Sequence, residues 1–319
     1  MLSLLDIPSV DRVAIAARLA ADPRLARTLA ELQVASQQAL SAYGEGEREE
    51  VLERVRTLQT RACVLARPAG AWKEPPDRGI HLLGVRSFSG TIGVHYGVED
   101  GRPIVLKASR EMDGEIEAAR LAARLGLTTP AIRRIPIAEL ARIPDLPSGT
   151  ALATHLLLEE RVEGFDLRNA PLVGWRPDPE DRTIFEGLGE IAAFDLLVGN
   201  WDRFVSANTG NLMVAEGRLV LVDTEASFTA RPSEVHSRVA RAIDDPELPG
   251  LLSSEVASFL EKACGFAFED RHHRWVNAGA AAFVDRFIPV AEGEPEDSPA
   301  GKALAAWREA SGEWEAVRG

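Results

Sequence analysis

The sequence predicts an α+β protein of two lobes, one rich in strands and the next mainly helical, behind a helical N-terminal extension. Three observations predict it. Apolar residues recur at three- and four-residue spacing up to residue 66 and then alternate from residue 80. Strands come in a run, with one helix among them, and helices dominate afterwards. The two types do not alternate as a parallel βαβ sheet requires.

Residues 1–66 read as the helical extension. In "EREEVLERVRTLQTRACVLA" the residues Val51, Leu52, Val55, Leu58, Ala62 and Leu65 share one face. That face suits a brace on the main body or a contact with a partner. The proline- and glycine-rich stretch "RPAGAWKEPPDRG" (67–79) reads as a linker. The first lobe is expected over 80–163. "IHLLGVRSF" leads into "SGTIGVHYGVEDGRPIVLKAS", an alternating stretch that turns at Glu99–Gly101. "GEIEAARLAARLGL" is a helix ended by Gly126 and followed by Pro130. "ATHLLLEERVEG" is an apolar strand that runs into charges.

The second lobe is expected over 164–290. "TIFEGLGEIAAFDLLVGN" is an apolar helix, and "NLMVAEG" with "RLVLVDTEASF" forms a short hairpin about Glu216–Gly217. Helices follow through "SSEVASFLEKACGF" and "HHRWVNAGAAAFVDRF". Residues 291–319 read as a loose tail with a possible last helix.

Composition bounds the function. A net charge of −13 disfavours nonspecific nucleic-acid or anionic-membrane binding. Two distant cysteines, Cys63 and Cys264, give no disulfide framework or paired-cysteine metal motif. A cytoplasmic setting follows as the expectation, since the first residues lack the basic start of a secretory signal and no apolar run is long enough to span a membrane. The six histidines show no metal-ligand spacing, and the GxSxG signature of a serine hydrolase is absent.

The chemistry concentrates in "GNWDRFVSANTGNLMV" (199–214), a polar stretch between apolar elements. Asp202 follows a buried helix, Asn211 begins the outgoing strand of the hairpin, and Asp223 ends the return strand. The hairpin can bring Asn211 and Asp223 together opposite Asp202. Phosphoryl transfer uses such a set: a carboxylate for the acceptor hydroxyl, and an Asn and an Asp as hard oxygen ligands for Mg²⁺. Lys107, at the end of "PIVLKAS", supplies a cation for phosphates, and Glu115 or Glu117 in the next helix can hold its ammonium. Ser89 and Gly90 in "SFSGTIGV" offer backbone N–H groups to a phosphate. The strand exit Glu159–Val162, with Glu160 and Val162 as contacts, can meet an adenine edge. Asp195 is read as a brace for the polar loop, and Arg203 as the partner of a buried carboxylate or of loop carbonyls.

Over roughly residues 80–290 the chain resembles the protein-kinase-like superfamily. The resemblance rests on "IVLK", "EIEAARLAARLGLTTP", "FDLLVGNWDRF", "GNLMV" and "LVLVDTE". It is most similar to the atypical branch with a "GNxDR" loop, the actin-fragmin kinase catalytic domain above all, with related logic in phosphatidylinositol kinases, secretory-pathway kinases and HipA-type bacterial kinases. The resemblance implies a two-lobed protein-kinase-like fold and ATP-dependent, Mg²⁺-assisted phosphorylation of a protein Ser or Thr. It implies Asp202 as catalytic Asp, Asp223 as metal Asp, Lys107 as the strand lysine and Glu115 as its helix partner. Three positions depart from the family pattern. The metal Asn is Asn211 by the strand that follows it, with Asn208 as its rival. The triplet "DTE" puts Thr224 and Glu225 behind Asp223, and Phe204 follows the "DR" pair. A kinase-fold binding module without turnover, a small-molecule acceptor and adenylyl transfer are the alternative readings.

Overall fold

The computed structural model describes residues 80–87, 94–99, 102–108, 112–135, 156–162, 164–224, 226 and 250–318, with isolated positions between 23 and 54 and residue 143. Those isolated positions between 23 and 54 are helical. Most of the expected extension, the linker 67–79, Ser89, Gly90 and Glu225 lie outside the described residues. The chain divides into two compact units: residues 1–110 with 132–163, and residues 111–131 with 164–319. The architecture is α+β, with an antiparallel sheet in the first unit and mainly helices in the second.

In the first unit, alternation produces strands β1 (Ile80–Ser87), β2 (Val94–Glu99), β3 (Arg102–Ala108), β4 (Ile132–Arg134) and β5 (Leu156–Glu160). They form one sheet in the order β1-β2-β3-β5-β4, every pairing antiparallel. The register Glu99↔Arg102 leaves the dipeptide Asp100-Gly101 between β2 and β3, a sequence suited to a two-residue hairpin loop. Ile104, Leu106 and Leu158 point to one face and bury against Ile80, Ile135 and Ile143. Lys107 therefore takes the other face, because side chains alternate along a strand. An ion pair of Arg133 with Glu99 ties β4 toward the β2 end of the sheet.

The second unit begins with helix α1 (Met112–Arg124), whose Ala118, Leu121 and Ala122 enter the main core of that unit. The N–H of Leu221 donates to the Thr128 carbonyl at 2.9 Å, joining the segment after α1 to the hairpin beyond. Then come β6 (Phe165–Asp166), a 3-10 turn (Leu167–Asn169), the short helix α2 (Ala170–Val173) and α3 (Arg182–Val198). A second 3-10 turn (Thr209–Asn211) leads into the hairpin β7 (Leu212–Ala215) and β8 (Arg218–Leu221). At its tip Glu216 and Gly217 both have positive φ, 49° and 76°, as a type I′ turn demands.

Helices α4 (Leu251–Cys264), α5 (Asp270–Glu292) and α6 (Pro299–Arg318) complete the unit. The centre is α3, apolar nearly all round, as a helix enclosed by neighbours must be. Its backbone touches that of α5 closely: a Cβ on Gly189 would lie 1.9 Å from the Val276 carbonyl oxygen, and one on Gly279 2.0 Å from that of Glu186. Residues 299–318, where the sequence offered a possible last helix in a loose tail, form α6 and bury Ala300, Ala303, Leu304 and Trp307 in the same core. Among the described residues no helix is long and apolar enough to cross a membrane.

Candidate functional site

Helix α3 ends at Gly199, which has φ 73° and whose N–H donates to the carbonyls of Asp195 and Leu196. Such a left-handed C-terminal residue is most easily a glycine. The turn throws the next residues out of the helix as a loop, beginning with Asn200. Asn200 is buried, and its amide nitrogen donates to Asp195 Oδ1 at 2.9 Å while its amide oxygen accepts from the Asp202 N–H at 3.2 Å. The end of α3 thus holds the backbone at Asp202. Phe204 anchors the far side of this bend in the core, 4.9 Å from the ring of Phe259 on α4.

Arg203 binds the surrounding segments together. It is fully buried and forms an ion pair with Asp195 Oδ1. Its Nε donates to the Asn211 carbonyl at 2.9 Å. Its Nη2 donates to the Val222 carbonyl at 3.2 Å and to Thr224 Oγ1 at 2.9 Å. One guanidinium therefore fixes α3, the residue before β7 and both neighbours of Asp223. Burial pushes the Asp195 carboxyl up from its usual range, against the pull of Arg203 and of the Asn200 amide. The expected roles of Asp195 as a brace and Arg203 as a tie to a carboxylate and carbonyls are both observed.

Asp202 stands half-buried at the middle of this frame. Its Oδ2 accepts from Asn208 Nδ2 at 2.6 Å and from Asn211 Nδ2 at 2.7 Å. Among the described residues no hydrogen bond engages Oδ1. The two asparagines differ in what their oxygens do. Asn208 Oδ1 accepts from Arg168 Nη2 at 2.9 Å and from the Gly210 N–H at 3.3 Å, so that side chain caps the 3-10 turn before β7. Asn211 donates a second, longer bond of 3.4 Å to the Asp223 carbonyl, and no described hydrogen bond engages its Oδ1. The hairpin pairing continues past β7 through the Val222 N–H to the Asn211 carbonyl at 3.2 Å. Asp202, Asn211 and Asp223 are brought together as the sequence suggested.

Asp223 has φ 54°, a left-handed backbone in a residue with a Cβ. Aspartate tolerates that region better than most residues, and strain of this kind collects at working sites. The donor set Asn211 plus Asp223 suits Mg²⁺, which binds one or two protein oxygens and completes its shell with water and substrate phosphates. Asn208 suits it less, because its one oxygen already serves two donors. Among the described residues no group of three or more His, Cys, Asp or Glu side chains is disposed to hold a metal ion.

In the first unit Lys107 is buried, and its Nζ lies 2.7 Å from Glu159 Oε1. Within this unit the carboxylate on the ammonium is that of Glu159. The β3–β5 register explains it: Lys107 faces Leu157, and Glu159, two residues along, shares that face. Glu115 is buried in the first turn of α1, in the second unit, while Glu117 is on the surface and pairs with Arg120. Glu160 is exposed and Val162 half-buried at the exit from β5. The sequence reading did not name Glu159 as a partner of Lys107, nor Arg168, nor the capping role of Asn208. Strand alternation carried a signal for the first, and nothing in local sequence pointed to Arg168.

No family model and no curated protein matches the sequence. Among solved structures, the chain is similar to the Helicobacter pylori proinflammatory kinase CtkA, with 12% identity over 73% of this chain and 97% of that one, at a TM-score of 0.37. It is also similar to a Ralstonia eutropha protein described as an aminoglycoside phosphotransferase, with 13% identity over 82% of this chain and 98% of that one, at a TM-score of 0.29. The chemistry of the site rests on its own residues.

Proposed function

We propose that this protein is a phosphotransferase that moves the γ-phosphoryl group of ATP to a hydroxyl acceptor, with Asp202 as the residue that receives the acceptor's proton. One observation carries the reading: among the described residues Asp202 has one carboxylate oxygen fixed by two amides and the other unengaged, beside a second carboxylate residue, Asp223, in a left-handed backbone. A carboxylate held on one side presents a single directed acceptor on the other. Positioning of that kind supplies most of what an enzyme contributes to phosphoryl transfer.

In the proposed reaction the acceptor hydroxyl hydrogen-bonds to Asp202 Oδ1. Its oxygen forms the new bond to the γ-phosphorus as the bond to the bridging oxygen breaks and ADP leaves. The hydroxyl proton passes to the Asp202 carboxylate. Asn211 orients that carboxylate through Nδ2 and keeps its Oδ1 for the cation, with Asp223 as the second ligand. Mg²⁺, when bound there, offsets charge on the phosphates. In the first unit Lys107, fixed by Glu159, is assigned to the ATP phosphates, and Glu160 and Val162 to the adenine side. Ser89 and Gly90 remain assigned to phosphate contacts, and Glu115 to support of the site. The family resemblance favours a protein Ser or Thr as acceptor, and residues 1–66 as a partner-binding or bracing element.

ATP with MgCl₂ should raise the melting temperature of the wild type and of Asp202→Ala alike, and only the wild type should form ADP. Absence of both the shift and ADP formation for the wild type would reject the reading.

A further inference from the structure

Asp202 is oriented by Asn208, and Asn208 is itself held. Its amide nitrogen reaches Asp202 Oδ2 at 2.6 Å, and its oxygen accepts from Arg168 Nη2 at 2.9 Å. An asparagine amide can flip end for end, and a flipped Asn208 would turn an oxygen toward the carboxylate. A guanidinium on the far side forbids that, because it can only donate. Arg168, with the Gly210 N–H that donates to the same oxygen at 3.3 Å, thus fixes which end of Asn208 faces Asp202.

The arginine is itself placed with care. It sits on the 3-10 turn Leu167–Asn169, whose Leu167 and Asn169 are buried and whose start is capped by Asp166, accepting from the Asn169 N–H at 3.1 Å and from its Nδ2 at 2.7 Å. Arg168 is exposed, yet no described carboxylate pairs with it, whereas the surface residues Arg120, Arg182, Arg286 and Arg308 each meet a glutamate. Among the described residues its one hydrogen-bond partner is the neutral amide beside Asp202.

Gly210 supplies an independent observation. A Cβ there would lie 2.4 Å from Arg168 Nη2 and 2.9 Å from its Cζ. Gly210 does not have a positive φ, so its backbone alone does not call for glycine. The space over Gly210 is filled by the guanidinium.

We propose that Arg168 is a positioning residue for the Asp202 carboxylate, acting through Asn208, and that Gly210 lacks a side chain so that the guanidinium can lie there. The inference rests on the phosphotransferase reading for its consequence in catalysis, and on the hydrogen-bond chain alone for its consequence in structure.

The test uses the full chain with three variants, Arg168→Met, Arg168→Lys and Gly210→Ala. Crystal structures of each report the Asn208–Asp202 contact. Hydrolysis of ATP with MgCl₂, water being the acceptor, reports kcat and the KM for ATP, and thermal melting checks that each variant folds. In Arg168→Met and Gly210→Ala the contact should lengthen or split into two carboxylate conformers. Their kcat should fall about 10- to 100-fold with KM for ATP unchanged, and Arg168→Lys should recover part of the loss. An Asp202 carboxylate still singly placed on Asn208 in both Arg168→Met and Gly210→Ala overturns the proposal, whatever the kinetics. If the carboxylate moves but the wild type neither hydrolyses ATP nor gains melting temperature from it, the positioning role stands and the phosphotransferase reading fails instead.

Discussion

The fully buried guanidinium of Arg203 is paired with the carboxylate of Asp195, eight residues earlier at the end of α3, while its other nitrogens reach the carbonyls of Asn211 and Val222 and the hydroxyl of Thr224. The frame of the site therefore depends on one side chain. Arg203→Met leaves the Asp195 carboxylate buried without its counter-charge, and losing one member of such a pair destabilises by about 3–5 kcal/mol. Urea unfolding should show that loss for Arg203→Met. Asp195→Asn leaves the Arg203 guanidinium buried without its counter-charge and should show a loss on the same scale.

Glycine at the crossing of α3 and α5 makes a second prediction. A methyl at Gly189 or Gly279 meets backbone carbonyls at 1.9 and 2.0 Å, and backbone cannot swing aside as a flexible side chain can. Gly189→Ala and Gly279→Ala should each reduce stability by about 1–3 kcal/mol or more, despite the better helix propensity of alanine. A calorimetric melting temperature equal to that of the wild type would contradict the close crossing.

The two asparagines of the loop are separable by metal dependence. Asn211→Ala removes the oxygen assigned to Mg²⁺, so the MgCl₂ concentration for half-maximal activity should rise about tenfold or more, on the scale of a lost ligand or its support. Asn208→Ala should lower kcat with no change in that concentration. The opposite pattern would make Asn208 the ligand.

Stability should also respond to pH through His273. Burial lowers its pKa from the usual value near 6.5, against Asp270, which raises it, and with His272 adding to the fall. Its ring nitrogen Nδ1 lies 3.1 Å from Ser253 Oγ. The folded state resists protonation, so the unfolded chain binds more protons as pH drops below about 6.5. The contribution of neutral His273 is complete above that pH and is lost as pH falls toward the lowered folded value. The wild type should lose more melting temperature between pH 7.5 and 5.5 than His273→Gln. Equal losses would contradict the assignment.

Much of this site is legible in the sequence because local rules govern it. The apolar run of α3, a glycine to stop it, and a short hairpin bounded by Asn211 and Asp223 are all local signals, and they bring Asp202, Asn211 and Asp223 together. Arg203 is likewise legible as an arginine inside an apolar setting, which needs acceptors. Contacts between distant segments are not local. Arg168 meets Asn208 only because two 3-10 turns, 40 residues apart, pack side by side. The Lys107–Glu159 pair needed the β3–β5 register, since Glu159 reaches Lys107 along a shared face. The last helix was legible as a possibility, but its packing was not, because "AEGEPEDSPAG" before it is polar, whereas Ala303, Leu304 and Trp307 after it carry the burial.

The most direct measurement is phosphate transfer itself. Wild-type protein and Asp202→Ala are incubated with ATP, MgCl₂ and a cell lysate, and products are read by mass spectrometry. The account predicts a gain of about 80 Da, one phosphoryl group on a hydroxyl, on protein substrates with the wild type and none above background with Asp202→Ala, although both bind ATP. Undiminished transfer by Asp202→Ala would contradict the central role given to that carboxylate.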